Sequence, residues 1–277
     1  MSEDLIICPA CPHHCRLKNG ETGLCRARKN TDGRSESVSY GLVTSIALDP
    51  IEKKPLFHFH PGSKILSVGG FGCNLSCPFC QNHDISQKGM GQTEVEKLSP
   101  EDLLELALKL REKGNIGAAF TYNEPLTGYE YVRDSAVLLK EKGLCTAVVT
   151  NGNFEREILD AVLPFIDAFN IDLKGFSKEA YDRLGGDFET VKAFIIQASE
   201  KAHVEITSLI VTGINDGIEE MEKEAEWIAS VDPGIPLHIN RYFPRYRYHE
   251  PSTDINLLYE MKKTAEKYLK HVYVGNV

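Results

Sequence analysis

From residue 64 onward the chain alternates strand-length apolar runs with amphipathic helical segments, and that alternation restricts its fold more than any other feature. Residues 64–70 read as a buried strand ending at glycines, and 100–113 as a helix with Ser99 as N-cap and Gly114 as stop. Further strands are expected at 116–122, 144–150, 168–173, 204–211, 235–239 and 271–274. Helices are expected between them at 126–142, 154–163, 178–184, 190–202 and 219–230, with a last one at 256–269. Near-continuous apolar strands joined through helices are the pattern of parallel strands covered on both faces. Two α/β architectures satisfy it, an open doubly wound sheet and a (β/α) barrel. Both put their chemistry at the C-terminal ends of the strands. No GxGxxG or P-loop follows the first strand, which weighs against the usual nucleotide-binding sheet.

Composition matters mainly for what it excludes. The chain has 277 residues, 42% of them hydrophobic, which suits one sizeable core rather than a disordered or fibrous chain. Its 31 Lys and Arg against 40 Asp and Glu give a net charge of −9, the wrong sign for holding a nucleic acid by its phosphates. No apolar stretch is long enough for a membrane span. Glu3 and Asp4 ahead of a short apolar stretch do not make a secretory signal, so a soluble, cytoplasmic protein is expected.

The cysteines fall in three groups. Cys8, Cys11, Cys15 and Cys25 lie in a Cys- and Gly-rich segment, residues 1–35, Cys73, Cys77 and Cys80 form a tight triplet, and Cys145 stands alone in an apolar run. Disulfide frameworks spread through small secreted domains, whereas dense clusters in a large chain point to metal ligands. Cys145 is expected to be a buried hydrophobe. Residues 36–62 read as a connecting hairpin, and 63–277 as the α/β body.

The triplet stands on a glycine-rich loop directly after the first strand of that body, spaced Cys-x3-Cys-x2-Cys. Three thiolates cannot complete a tetrahedral zinc site without a fourth ligand, for which His83 is the nearest candidate. They can grip three corners of a 4Fe–4S cube and leave one iron open. This motif, with Phe79 before its last cysteine, resembles the radical S-adenosylmethionine (SAM) superfamily. The resemblance implies a partial (β/α)6 barrel in which SAM chelates the open iron. One electron then cleaves SAM to methionine and a 5′-deoxyadenosyl radical, which abstracts a hydrogen atom from substrate.

The other strand ends fit that implication. Asn123 and Glu124 follow the second strand, where the superfamily has a Gly-Gly-Glu-like segment, and the glutamate is suited to the methionine ammonium. Read alone, Asn-Glu-Pro is a turn with a solvated acid. Thr150 and Asn151 follow the third strand and offer polar groups to ribose or carboxylate; Asp172 and Lys174 follow the fourth. Thr-Asn-Gly followed by Asp-Leu-Lys is similar to the pyruvate formate-lyase activating enzymes, where it implies a monovalent cation near the SAM carboxylate. Those activases carry Asp before the Thr, where this chain has Val149. The plain alternative is an Asp–Lys surface pair of little worth. The segment from Thr207 to Ile214 resembles the stretch that borders the adenine. After the sixth strand, Arg241, Arg245 and Arg247 alternate with tyrosines, to grip an anionic substrate or peptide or simply to order a loop.

A closer match spans nearly the whole chain. The N-terminal cysteine pattern, the segment from Asp49 to Gly62 and the closing residues 273–277 resemble the AmmeMemoRadiSam-system radical SAM enzymes, a group related to the activases. Its members generally continue into a tail with another Cys-x2-Cys pair, so the chain reads as a truncated or short form. Cys8, Cys11, Cys15 and Cys25 then read as a structural zinc site, with an auxiliary iron–sulfur cluster, no metal, or ligands from such a tail as the alternatives. The implied partners are SAM, a reductant such as ferredoxin or flavodoxin, and an unidentified protein or small-molecule substrate. The competing functions are activation of a glycyl radical enzyme and a non-catalytic iron–sulfur protein.

Overall fold

The computed structural model describes residues 5–277, so Glu3 and Asp4 lie outside it. Strand β1 (Ser45–Pro50) runs antiparallel to β2 (Lys64–Gly69). Six more follow: β3 (Asn115–Phe120), β4 (Cys145–Thr150), β5 (Ala168–Asp172), β6 (His203–Ile210), β7 (Leu237–Arg241) and β8 (Val272–Gly275). From β2 to β8 every neighbour is parallel and the spatial order is the chain order. A doubly wound sheet reverses its strand order at a switch point. This one never reverses, which selects the barrel-type alternative: six β/α units and a final strand. Among the described residues β1 and β8 do not pair with each other, so the barrel is open on one side.

Most elements lie within two or three residues of their expected bounds, and the local reasons are visible. Helix α1 (Pro100–Lys109) starts at a reciprocal cap between Ser99 and Asp102, and buries Pro100, Leu103 and Ala107 against the sheet. The turn of 3-10 helix after it, Leu110–Lys113, stops at Gly114 with φ 86°. Within residues 36–62, β1 joins the barrel sheet and its hairpin partner is β2.

The inner face is built for an insert. Ser67, Ala119, Ala147 and Ala168 fall in one register row across β2, β3, β4 and β5. Side chains this small leave room inside the sheet, and Ile51 and Leu56, from the connection between β1 and β2, fill it with no exposure. Glu205 of β6 fixes the same connection. It accepts the Phe57 and His58 backbone N–H at 3.0 and 2.7 Å and meets His203 and His238 Nε2 at 2.9 and 2.7 Å. His58 then reaches Tyr273 of β8 at 2.7 Å, so the connection spans the open side.

The Cys-rich segment docks at the opposite end. Buried Arg28 makes a two-pronged contact with Glu130 at 2.8 and 3.0 Å and donates to the Thr127 carbonyl at 3.1 Å. Glu205 yields the prediction for this fold. Burial disfavours its charge, but the two histidines and two backbone N–H groups outweigh that and hold its pKa at about 2, below the ordinary 4.5. Its contribution is therefore fully present above pH 4.5 and is lost as pH falls toward 2. Glu205→Gln should cost about 2 kcal/mol in urea unfolding at pH 7. It should also flatten the acid branch of the stability curve; an acid branch identical to wild type would contradict this account.

Candidate active site

Strand β2 delivers the chain into the Cys73–Cys80 loop through Gly72, whose φ is 87°. A side chain there would meet the Cys25 carbonyl at 2.5 Å and the Ala27 Cβ at 2.9 Å, so only glycine allows the loop to lie against the N-terminal segment. Cys77 and Phe79 are buried with Leu75, Leu184, Val211 and Tyr242, and Cys73, Cys80 and Ile214 pack against that group. Burial pushes the Cys73 thiol well above its ordinary range, with the Glu124 charge adding to it. Burial likewise raises Cys77 to about 11, against the pull of the Lys174 ammonium. Such thiols keep their protons at neutral pH until a metal displaces them.

Among the described residues, no three Cys, His, Asp or Glu side chains converge closely enough to hold a single metal ion. His83, the candidate fourth ligand of a lone zinc, makes other contacts. It stacks on Tyr246 at 4.3 Å, and its Nδ1 contacts the Cys80 carbonyl. Three thiols on one loop, Cys77 buried and Cys73 and Cys80 partly so, are the donor set for three corners of a cube.

Glu124 is buried below the loop. Its carboxylate accepts from the Leu126 N–H at 3.1 Å, Thr150 Oγ1 at 2.8 Å and the Asn151 N–H at 2.8 Å, and its own N–H donates to the Gly72 carbonyl at 3.2 Å. Burial raises its pKa to about 7 although all three donors favour the charged form. One oxygen takes two bonds and the other takes one, leaving a single acceptor position for an incoming ammonium. Asn151 extends the chain of contacts, donating to Asn74 Oδ1 at 2.8 Å beside Cys73. Sequence reasoning did not single out Asn74, which also donates to the Asn153 carbonyl and takes His13 Nε2 on its own carbonyl. Only its place next to Cys73 hinted at this.

The remaining expected residues divide. Asp172 and Lys174 form an ion pair at 2.7 Å, both partly exposed. Burial works against the Lys174 charge, but Asp172 and the neighbouring thiols hold its pKa above the ordinary value. Asn123 braces the loop: it accepts from the Gly70 N–H and donates to the Phe71 and Gly72 carbonyls. Thr207 lies beside Asp172 in register, but its hydroxyl engages Asn170 at 3.1 Å, deeper in the barrel than Ile214. Phe79 meets Tyr242 and Tyr248 edge-on at 6.4 and 6.3 Å. The arginine-rich stretch is pinned to the loop by Arg247 N–H to the Pro78 carbonyl at 2.8 Å, and Arg247 also lies over the Tyr246 ring. Cys145 is half-buried near His60 rather than fully buried. Inside the barrel, Asp49 binds Lys54 at 2.9 Å and Tyr122 Oη at 2.8 Å.

The sequence profile of the Radical SAM superfamily matches residues 67–228, from inside β2 into the helix Ile218–Val231. The chain belongs to the radical SAM superfamily. Members of this superfamily are enzymes that use a 4Fe–4S cluster and SAM. MJ0808, an uncharacterized protein of Methanocaldococcus jannaschii, is 37% identical over 100% of this chain and 83% of its own length. The pyruvate formate-lyase-activating enzyme of Clostridium pasteurianum is 27% identical over 73% of this chain and 88% of its own. Among solved structures, QueE from Escherichia coli has a TM-score of 0.54 at 15% identity, covering 84% of this chain and 93% of that one. That likeness concerns the radical SAM fold alone.

Glu124→Gln tests the linkage beneath the loop. The substitution turns one acceptor into a donor facing the Asn151 N–H or Thr150 Oγ1, at about 1–3 kcal/mol for the unsatisfied pair. SAM affinity of the reconstituted radical SAM protein should fall about tenfold or more, the equivalent of 1.4 kcal/mol. A lowered melting temperature with unchanged affinity would reduce Glu124 to a brace of the fold.

Proposed function

We propose that this chain is a SAM-cleaving enzyme whose cluster is held by Cys73, Cys77 and Cys80, and which abstracts a hydrogen atom from a substrate in the barrel. The observation that carries this reading is the trio of wholly or partly buried thiols on one loop at the end of the first parallel strand, with polar groups at successive strand ends around them. When bound, the cluster and SAM supply reductive cleavage to methionine and a 5′-deoxyadenosyl radical. The protein supplies placement and exclusion of water. The remaining acceptor position of Glu124 suits the methionine ammonium, and Thr150 with Asn151 is held in place by the same carboxylate. Lys174, paired with Asp172 and charged, would offer its ammonium to a carboxylate. Phe79, Ile214, Tyr242 and Tyr248 form an apolar wall beside the cysteines that limits solvent access to a reactive radical. A cytoplasmic setting, where thiols stay reduced and a ferredoxin or flavodoxin can deliver the electron, suits this chemistry.

Activation of a glycyl radical enzyme is a second reading, favoured by the 27% identity to the Clostridium pasteurianum activating enzyme. Val149 before Thr150 and the docked N-terminal segment depart from that pattern.

Anaerobic reconstitution with iron and sulfide, followed by dithionite and SAM, should release 5′-deoxyadenosine from the wild type and none from Cys77→Ala. Equal release from both would overturn the assignment. If a glycyl radical enzyme is the target, mixing the two proteins should raise a glycyl doublet in electron paramagnetic resonance. A small-molecule substrate would instead pass deuterium into the 5′-deoxyadenosine.

A further inference from the structure

The reaction outlined above leaves one buried charge inside the barrel without a task. Lys54 is buried, and its ammonium donates to Asp49 Oδ2 at 2.9 Å. The Tyr122 ring lies 4.6 Å from the same Nζ, and no other acceptor meets Lys54 among the described residues. An ammonium has three N–H donors, so at least one is left open. A second unused donor is close by. Ser67 Oγ is fully buried, has no hydrogen-bond partner of good geometry, and lies near the Tyr122 phenol. Asp49 pairs with Ile65 and Ala47 with Ser67, so Asp49 and Ser67 stand on the same inner face. Buried donors are normally paired, and two open ones on one face call for a partner from outside the chain.

Tyr122 connects this face to the cysteine loop. Its φ is 72°, in the left-handed region that a bulky residue avoids. A side chain at Gly69 would meet Tyr122 Cβ and Cδ2 at 2.9 Å, so the glycine clears the path of the ring across β2. The Tyr122 hydroxyl donates to Asp49 at 2.8 Å, while its carbonyl accepts from Asn82 Nδ2 at 2.7 Å, two residues beyond Cys80. The Asp49–Lys54 pair therefore lies one tyrosine side chain from the loop, and Tyr122 is only partly buried, which leaves this face open to a ligand. We infer that Lys54 and Ser67 bind a carboxylate of the substrate, and so select an acidic substrate and hold it beneath the cysteine loop. The inference rests on the proposed SAM-cleaving reaction, which needs a substrate in the barrel. Charge decides the class of ligand. Lys53 and Lys54 both meet the single acid Asp49, at 3.1 and 2.9 Å. Burial opposes the Asp49 charge, but hydrogen bonds from Lys54, Tyr122 and Lys53 hold the carboxyl well below its ordinary range. One positive charge is left over, which a carboxylate matches and a phosphate dianion exceeds.

Crystals of the reconstituted chain soaked in sodium bromide test the site directly, since bromide stands in for the single charge of a carboxylate and is located by its anomalous scattering. Bromide should sit against Lys54 Nζ and Ser67 Oγ in the wild type and be missing from Lys54→Met, with surface bromides in both as the control. If Lys54→Met fails to fold, Ser67→Ala should show a weaker bromide at Lys54. Surface bromides with none at Lys54 in the wild type would overturn the inference. The second arm uses small-molecule extract of cells grown in deuterated medium, split on an anion exchanger. The retained, acidic fraction should pass deuterium into 5′-deoxyadenosine. Lys54→Met should lower that transfer about tenfold, as for a lost charge-assisted hydrogen bond, and Lys54→Arg should recover part of it. Phosphatase treatment of the fraction should leave the transfer unchanged; its loss would assign a phosphate and overturn the carboxylate. Transfer from the unretained fraction alone, or equal transfer by Lys54→Met, would also overturn the inference and make the bromide an adventitious ion only. Each of these failures would leave the Cys73–Cys80 assignment standing, because that assignment is read from 5′-deoxyadenosine release by the wild type with dithionite.

Discussion

One buried carboxylate holds the pieces of the active end in register. Glu124 sits where β3 leaves the sheet and gathers the Leu126 N–H, the Thr150 hydroxyl and the Asn151 N–H, while its own N–H secures Gly72 in the cysteine loop. Two strand ends and the loop are therefore fixed relative to one another by hydrogen bonds that water cannot easily replace. Three donors share this one buried acceptor, and burial makes loss of any one of them costly. The position of Cys73 depends on this arrangement through Asn151 and Asn74.

The other end of the barrel solves a different problem. An open barrel with small inner residues leaves space that neither water nor backbone can occupy comfortably. The connection between β1 and β2 turns inward and fills it with Ile51 and Leu56, and Glu205 accepts the two backbone N–H groups that this inward path leaves without partners. His58 and Tyr273 then bridge the open side. The rigid end thus lies at the start of the strands, and the polar, partly exposed groups Asp172 and Lys174 at their ends. That is the division expected of a barrel enzyme.

The N-terminal segment is more than an appendage, because Gly72 has no side chain for a reason that lies inside that segment. The close approach of Cys25 and Ala27 dictates the glycine, and Arg28 fastens the segment to the start of the helix Tyr129–Glu141 through Glu130. The cysteine loop is accordingly pressed between the barrel and the N-terminal segment, and its path follows from both.

By itself the sequence determined the order of strands and helices, because parallel strands covered on both faces must be apolar throughout and helices must show one apolar face. It also determined the cysteine loop, since three thiols at that spacing after a strand have few chemical uses. Only the tertiary structure decided which polar residues support the site and which face it. Asn123 read as a cofactor contact, yet it braces Gly70, Phe71 and Gly72. Asn74 and Glu205 carried no local signal, because their partners come from strands and loops far away in the chain. Local propensity records how a residue treats its neighbours along the backbone. A buried hydrogen bond depends on what folding brings opposite it, which the chain order does not contain.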